Sequence, residues 1–205
     1  MHKNPSAHKH QWLQQVIQEA KLAVRDKWDE IEALKLANQA RMLNAFRQHQ
    51  VSEYHFAGST GYGYNDSGRE VIEALYAQVL GAEDALVRPQ LVSGTHAIAT
   101  CLSALLMSGD ELVFVTGTPY DTLQQVIGIK GELPRSLMRA GVKYKEVPLN
   151  ERGRWDRAGI EAAVSRETRM VMIQRSRGYS WRPALSIKDI QEIISVVRRI
   201  DPRII

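Results

Sequence analysis

Alternating strand-like and helix-like segments predict an α/β fold over residues 57–205, with a mainly parallel sheet covered by helices on both faces. Three observations carry this prediction. Short apolar runs, such as ELVFVT at 111–116, are typical of buried strands. Amphipathic runs, such as 186–200, are typical of helices, and Gly or Ser separates the two kinds of segment. Residues 1–56 contain no comparable alternation and are predicted to form a separate helical segment.

The composition is that of an ordinary globular chain. Its 205 residues are 44% hydrophobic and 24% charged, with a net charge of +4. The modest basic excess lacks the stripe with interleaved aromatic residues that nucleic-acid binding needs, so no nucleic acid is expected. No apolar run suits a membrane span or a signal peptide, and the cytoplasm is the expected compartment. The single cysteine, Cys101, lies in an apolar helical pattern and is predicted to be buried.

Residues 11–48 are predicted to form two helices, because apolar residues recur at three- and four-residue spacing without Gly or Pro. Such a segment suits either the wrapping of another subunit or the capping of a domain. A glycine-rich loop follows at 57–69. In it, Ser67 is expected to cap the next helix, with Glu70 completing a capping box, and Gly81 is expected to end that helix.

The remaining segments alternate. Strands are predicted at 85–87, 111–116, 143–149 and 169–173, with a further strand beginning at Arg203. Helices are predicted at 94–107, 121–127, 156–164 and 186–200, the last two with Asp156 and Ser186 near their caps. In the last helix the inward-facing side chains are expected to be Ile187, Ile190, Ile193, Ile194 and Val197.

Small polar residues open the predicted helix at 94–107, in the order Ser93, Gly94, Thr95, His96. Gly94 lets the backbone approach a ligand, and the main-chain N–H groups of Thr95 and His96 would point at an anion. The motif is therefore a candidate phosphate cradle. An ordinary helix start with Ser93 as the cap is the competing interpretation.

Three other places are candidates for binding. Tyr120 follows a strand, where its ring can stack on a flat cofactor or pack at a helix start. The segment 175–179 also follows a strand, and its two arginines suit either a substrate carboxylate or a solvated loop. In the glycine-rich loop, Arg69 beside Tyr62 and Tyr64 suits either a phosphate dianion or a turn-rich surface. No cluster of His, Cys, Asp and Glu has metal-ligand spacing, and no metal is expected.

Three blocks of this chain, in order, resemble one family. They are HFAGSTGYGYNDSGREVIEALYAQVLGAEDALVRPQLVSGTHAI, then GTPYDTLQQVIG, then VMIQRSRGYSWRPALSI. From about residue 51 onward the chain resembles the N-terminal half of the aluminium-resistance, methionine-gamma-lyase-like proteins. These belong to the Cys/Met-metabolism group of fold-type-I pyridoxal-phosphate (PLP) enzymes. The resemblance implies an α/β/α sandwich, with 57–205 an incomplete large PLP-binding domain. It also implies a carbon–sulfur lyase of sulfur amino-acid metabolism.

The resemblance also implies roles for single residues. In the loop 93–96, the amides of Gly94 and Thr95 would hold the PLP phosphate, and Tyr120 would stack on the pyridine ring. Ser176 would be a polar partner for the ring hydroxyl. The substrate of the full-length relative would be an amino acid.

Part of each site would come from a neighbouring subunit, so a homo-oligomer is expected. By resemblance, Tyr64 would reach the phosphate of the neighbour's cofactor. The better-known lyases carry an arginine two residues after this tyrosine. Here Asp66 stands at that position, and Arg69 is expected to substitute.

The resemblance places the Schiff-base lysine and the aspartate that pairs with the pyridine nitrogen beyond residue 205. The lysines at 130, 143, 145 and 188 lie in no matching motif. Because PLP chemistry needs both groups, the chain is expected to be an inactive fragment by itself, with no catalytic residue of its own. Two alternatives stay open. One is a non-catalytic or degenerate half domain that binds PLP or a partner, and the other is a nucleotide-binding α/β domain.

Overall fold

The computed structural model describes residues 5–58 and 66–205. The chain divides into two compact units, residues 1–89 and 90–205. The predicted domain boundary after residue 56 stays a prediction. Among the described residues, no helix combines the length and the apolar character that crossing a membrane requires.

The first unit is helical. The two predicted N-terminal helices are confirmed as α1, Pro5–Ala23, and α2, Arg25–Gln48, which meet at Val24. A short 3₁₀ turn, Glu53–Phe56, follows. Many apolar side chains of α1 and α2 are exposed in the chain by itself, among them those of Trp12, Trp28 and Ile31.

The third helix, α3, spans Ser67–Leu80. Its cap is Asp66, whose carboxylate accepts a hydrogen bond from the Arg69 N–H at 3.1 Å. The prediction of Ser67 as the cap is therefore wrong by one residue, because the carboxylate just before it takes the amide that a capping hydroxyl would need. Gly81 ends the helix as predicted, with a φ of +68° that glycine adopts at little cost.

The predicted strand at 85–87 is not formed. The Val87 N–H donates to the Glu73 carboxylate of α3 at 2.9 Å, so a side chain takes the donor that a strand would give to its neighbour. Arg88 pairs with the same carboxylate. The segment is an extended loop held by α3.

The second unit contains a three-stranded sheet in which all pairs are parallel. Its strands are β1, Glu111–Phe114, β2, Lys143–Glu146, and β3, Thr168–Met172, in the order β2-β1-β3. Glu111 is aligned with Lys143 on one side and Thr168 on the other. The predicted strands in these places are confirmed; β1 and β2 are shorter than predicted, and β3 begins and ends one residue earlier.

Four helices cover the two faces of this sheet, as the sequence predicts. They are α4, Gly94–Leu105, α5, Asp121–Ile127, α6, Arg157–Ala163, and α7, Ile187–Ile200. Side chains of β1 alternate between the two faces. Leu112 and Phe114 pack with residues of α4 and α5, whereas Val113 packs with residues of α6 and α7. The α/β/α sandwich is therefore present in this half-length domain.

The face of α7 differs in part from its prediction. Ser186 caps the helix in a capping box with Asp189. Ile193 and Val197 are buried as predicted, but Ile187 and Ile194 are 59% and 45% exposed. The buried stripe also contains Val196. Ile190, also predicted to face inward, is half-buried. The fully buried side chains Ile193, Val196 and Val197 follow three- and four-residue spacing along one face, so the stripe is narrower than the run of isoleucines suggests.

Two further predictions concern single places in the second unit. Cys101 is exposed, so its predicted burial is wrong; α4 buries Leu102 instead, one residue further round the helix. Arg203 does not begin an assigned strand, but Ile205 lies alongside β3. Its N–H donates to the Arg169 carbonyl at 3.0 Å, and its carbonyl accepts from the Val171 N–H at 2.9 Å.

Candidate cofactor site

A cleft of about 850 Å³ lies where β1 and β3 end at their carboxyl side. Tyr120, Leu149, Gln174 and Arg177 are among the residues that line it. The turn after β1 begins at Gly117, whose φ of +79° lies in the left-handed region. Clefts at this edge of an open parallel sheet are the usual place for ligands in α/β folds.

The start of α4 leaves two main-chain donors available. Ser93 caps the helix, and its hydroxyl accepts the His96 N–H at 3.1 Å. The next amide, of Ala97, donates to the Ser93 carbonyl. Within the described residues, the N–H groups of Gly94 and Thr95 therefore have no acceptor, as is usual in a first helical turn. Of the two amides assigned to an anion from spacing alone, that of His96 is occupied and that of Thr95 is available.

The same helix start touches Tyr120. The Thr95 hydroxyl lies 3.4 Å from the Tyr120 hydroxyl and 3.1 Å from that of Thr122. Three residues from two separate segments of the chain thus meet at the start of α4. A β-carbon added at Gly94 would have no heavy atom within 4 Å, so the space beside the two amides is open.

Gln174 belongs to the site although the sequence did not single it out. Its carboxamide oxygen accepts a hydrogen bond from the Tyr120 N–H at 3.1 Å. The main-chain N–H of Gln174 donates to the Thr116 hydroxyl at 2.9 Å. Its carboxamide nitrogen donates to the Ser176 carbonyl at 3.1 Å. One signal was available in the sequence: a polar amide that follows the apolar end of the predicted strand at 169–173.

The loop after β3 is held by arginine. The Arg182 guanidinium donates to the carbonyls of Gln174 and Ser176, at 3.0 Å and 2.6 Å. Burial lowers the pKa of Arg182 below its ordinary value. Arg175 donates to the Leu185 carbonyl at 3.2 Å. Of the two arginines predicted to meet a carboxylate, Arg175 is thus used within the loop, and Arg177 lines the cleft.

A second polar network supports the other side of the Tyr120 turn. The Thr118 hydroxyl donates to one oxygen of Glu146 at 2.7 Å, and the Tyr144 hydroxyl donates to the other at 2.8 Å. Burial, together with the hydrogen bond to Glu146 and its charge, raises the pKa of Tyr144 well above its ordinary value. The turn is therefore held by β2 on one side and by the segment after β3 on the other.

Of the remaining predicted residues that the structure describes, Ser176 alone is observed at this cleft. Tyr62 and Tyr64 lie outside the described residues. Arg69 lies in the first turn of α3, in the first unit. Ser176 lines the cleft, and its carbonyl is held by Gln174 and Arg182.

Two chemical groups are missing from the lining of the cleft in the part of the chain that the structure describes. No lysine is among the lining residues. No group of three or more His, Cys, Asp or Glu residues in the described ranges is arranged to hold a metal ion. The site offers main-chain amides, neutral hydroxyls and amides, aromatic rings, arginine and one carboxylate, that of Asp121.

The chain is similar to known proteins over nearly its whole length. The family model for methionine gamma-lyase matches residues 13–205. The uncharacterized protein YnbB of Bacillus subtilis is 44% identical over 177 residues, which are 86% of this chain and 42% of YnbB.

Solved structures agree with this relation. One, from Listeria innocua, is of a proposed cystathionine beta-lyase involved in aluminium resistance; it is 43% identical, with a TM-score of 0.91, over 94% of this chain and 47% of that one. Another is a carbon–sulfur lyase involved in aluminium resistance from Clostridium novyi NT. It is 36% identical, with a TM-score of 0.88, over 100% of this chain and 50% of that one. This chain spans about half the length of the relatives it matches, and it belongs to the methionine gamma-lyase family.

Proposed function

We propose that this chain supplies the phosphate-holding and ring-stacking part of a PLP-dependent carbon–sulfur lyase of sulfur amino-acid metabolism. The observation that carries the proposal is the meeting of Thr95 and Tyr120, 3.4 Å apart at their hydroxyls, beside two amides without an acceptor in the described chain. Family membership supports the same assignment, because these enzymes are PLP-dependent.

The residues present fit a phosphorylated aromatic cofactor. The amides of Gly94 and Thr95 are donors at a helix start, where the helix dipole also favours a negative charge. The open space at Gly94 leaves room for phosphate oxygens. Tyr120 lines the adjoining cleft, where an aromatic ring is suited to pack against a flat heterocycle.

Each of these groups has a separate task. Gly94 and Thr95 bind the phosphate, Ser93 holds the first turn in shape, and Tyr120 orients the ring. Ser176 is proposed as a polar neighbour of the ring hydroxyl, and Arg177 as a cation for a substrate carboxylate. When bound, PLP supplies an electron sink for bond cleavage next to the amino-acid Cα.

We further propose that the 205 residues by themselves bind PLP without forming an imine in this cleft. The support is the absence of lysine from the described lining. Turnover then needs a lysine that the described lining of this cleft does not supply. Likewise proposed are a homo-oligomer with shared sites, to which Tyr64 and Arg69 of a neighbour contribute, and a cytoplasmic location.

Equilibrium dialysis against PLP and against pyridoxal tests the binding proposal. PLP should bind saturably and at least about tenfold more tightly than pyridoxal, because only PLP brings a phosphate to the two amides. Equal binding of the two compounds would contradict the phosphate site. Preference for a nucleotide over PLP would favour a nucleotide-binding domain instead.

Borohydride reduction followed by peptide mapping tests the proposal about the imine. No single lysine should be labelled at close to one equivalent per chain when PLP saturates the cleft, at about tenfold its dissociation constant. One defined, stoichiometric lysine adduct would contradict non-covalent binding.

A further inference from the structure

We propose that Gln174 is a positioning residue. Its carboxamide fixes the main chain at Tyr120 to the end of β3 and so sets where the Tyr120 ring stands. The consequence for cofactor binding rests on the proposed function, because it requires that the ring meets PLP.

Every polar group of Gln174 is engaged. The main-chain N–H donates to Thr116, and the main-chain carbonyl accepts from Arg182. The side chain accepts from the Tyr120 N–H and donates to the Ser176 carbonyl. Gln174 therefore joins the end of β1, the turn before α5 and the loop after β3.

The two side-chain bonds need an amide. The Tyr120 N–H requires an acceptor, and the Ser176 carbonyl requires a donor, so only a side chain that offers both satisfies both. Glutamate in this place would keep the acceptor for Tyr120 and lose the donor for Ser176. Methionine, of similar length, would offer neither.

The bond to Tyr120 acts at the place where it can set the ring. Tyr120 is the residue just before the first residue of α5, and Gly117 starts the turn that leads to it. The middle of this turn is already fixed, because Thr118 is bonded to Glu146. Gln174 fixes the last residue of this turn, Tyr120, whose hydroxyl contacts that of Thr95.

Amide hydrogen exchange followed by NMR tests the clamp without any cofactor. In Gln174→Met the Tyr120 amide should exchange about tenfold faster, because its acceptor is gone. Gln174→Glu should restore protection, since the acceptor is kept. The matched control is Gln191→Met, on the exposed side of α7, which should leave Tyr120 unchanged. The Phe114 amide, in the core strand, reports any global loss of stability in the same spectra.

Binding of PLP tests the consequence. Gln174→Met should raise the PLP dissociation constant about fivefold, and Tyr120→Leu should add little in that background, because both changes act through one ring. Unchanged exchange at Tyr120 in Gln174→Met would overturn the clamp. Faster exchange with an unchanged dissociation constant would overturn its role in binding. If the unaltered chain binds no PLP, the proposed function fails, and the exchange data still decide whether the clamp exists.

Discussion

The two ends of the same three strands differ in what they do with polar groups. At the amino ends, the Glu111 carboxylate is buried, with the Thr168 hydroxyl and the Lys145 ammonium both at 2.7 Å. At the carboxyl ends, Tyr120 and Gln174 are half-buried around an open cleft. At the first end a buried carboxylate is paired within the fold, whereas the second end surrounds an open cleft with amides and hydroxyls that the Glu146 carboxylate and the Arg182 guanidinium help to hold.

Under the proposed function, this difference assigns stability to one end of the sheet and binding to the other. Burial alone would raise the pKa of Glu111, but the hydrogen bonds from Lys145 and Thr168 and the nearby lysine charges lower it below its ordinary value. The ionised Glu111 carboxylate is thus stabilised by partners within the folded chain. At the other end, Gly94 and Thr95 keep main-chain donors without acceptors in the described chain. Donors that folding does not use are the ones a ligand can take.

The largest expected effect lies at the amino ends. Glu111→Ala should lower the free energy of unfolding by about 2–3 kcal/mol, because it leaves the buried Thr168 hydroxyl without its acceptor and Lys145 without its partner. Urea unfolding measures this change. The exposed neighbour Glu167→Ala is the matched control and should change little. The folded Glu111→Ala variant should bind PLP as tightly as the unaltered chain. A loss of PLP affinity together with the loss of stability would contradict the assignment of stability and binding to different ends of the sheet.

The next effect lies at the start of α4. Gly94→Asp places a carboxylate where the phosphate is proposed to sit and should weaken PLP binding about thirtyfold, about 2 kcal/mol. The same change should not lower the melting temperature, since an acidic residue in the first turn suits the helix dipole. Gly94→Asn, of equal size and no charge, separates repulsion from bulk. Equal affinity of the Asp and Asn variants would argue against an anion at this place.

A smaller effect is expected from the ring. Tyr120→Leu should weaken PLP binding about fivefold to tenfold, about 1 kcal/mol, because an aliphatic side chain cannot stack on a heterocycle. Tyr120→Phe keeps the ring and loses only the 3.4 Å contact with Thr95, so it should bind within about twofold of the unaltered chain. Fluorescence titration gives both constants. A Phe variant as weak as the Leu variant would shift the role from the ring to the hydroxyl.

The smallest effect is a dependence of stability on pH. Because the folded pKa of Glu111 lies below the unfolded value of about 4.3, its contribution is present above that pH and is lost as the pH falls through the folded pKa. Asp201, with a pKa lowered to about 2 by hydrogen bonds to Arg203, changes with the same sign. Comparison with Glu111→Gln removes the part due to Glu111. The stability difference between the two chains should shrink from pH 6 to pH 3; a constant difference would contradict the ionic account.

Periodicity was sufficient to predict the α/β/α layers and most of the elements, because apolar alternation along β1 and the stripe of α7 are local properties. It failed where tertiary partners decide. The apolar run that includes Val87 predicts a strand, yet the Val87 N–H donates to the Glu73 carboxylate. Asp66 and Ser67 are both residue types that cap helices, and the structure shows that Asp66 accepts the Arg69 N–H.

The binding roles of the site residues stay predictions, but part of the residues that meet at the cleft could be named from the sequence. Spacing and resemblance both pointed to Gly94, Thr95 and Tyr120, which follow from short motifs at helix starts. Gln174 was missed because its role depends on contacts with Thr116 and Tyr120, more than 50 residues away in the chain. No motif within one segment reports such a contact.

The most direct test of the central claim is to follow the amide resonances of Gly94 and Thr95 during a titration with PLP. Both amide protons should shift together and saturably as they become donors to phosphate, and inorganic phosphate should compete for the same shifts. The Glu111 amide, at the opposite end of β1, should stay in place. Saturable PLP binding that leaves the Gly94 and Thr95 resonances unmoved would contradict the claim that this helix start holds the phosphate.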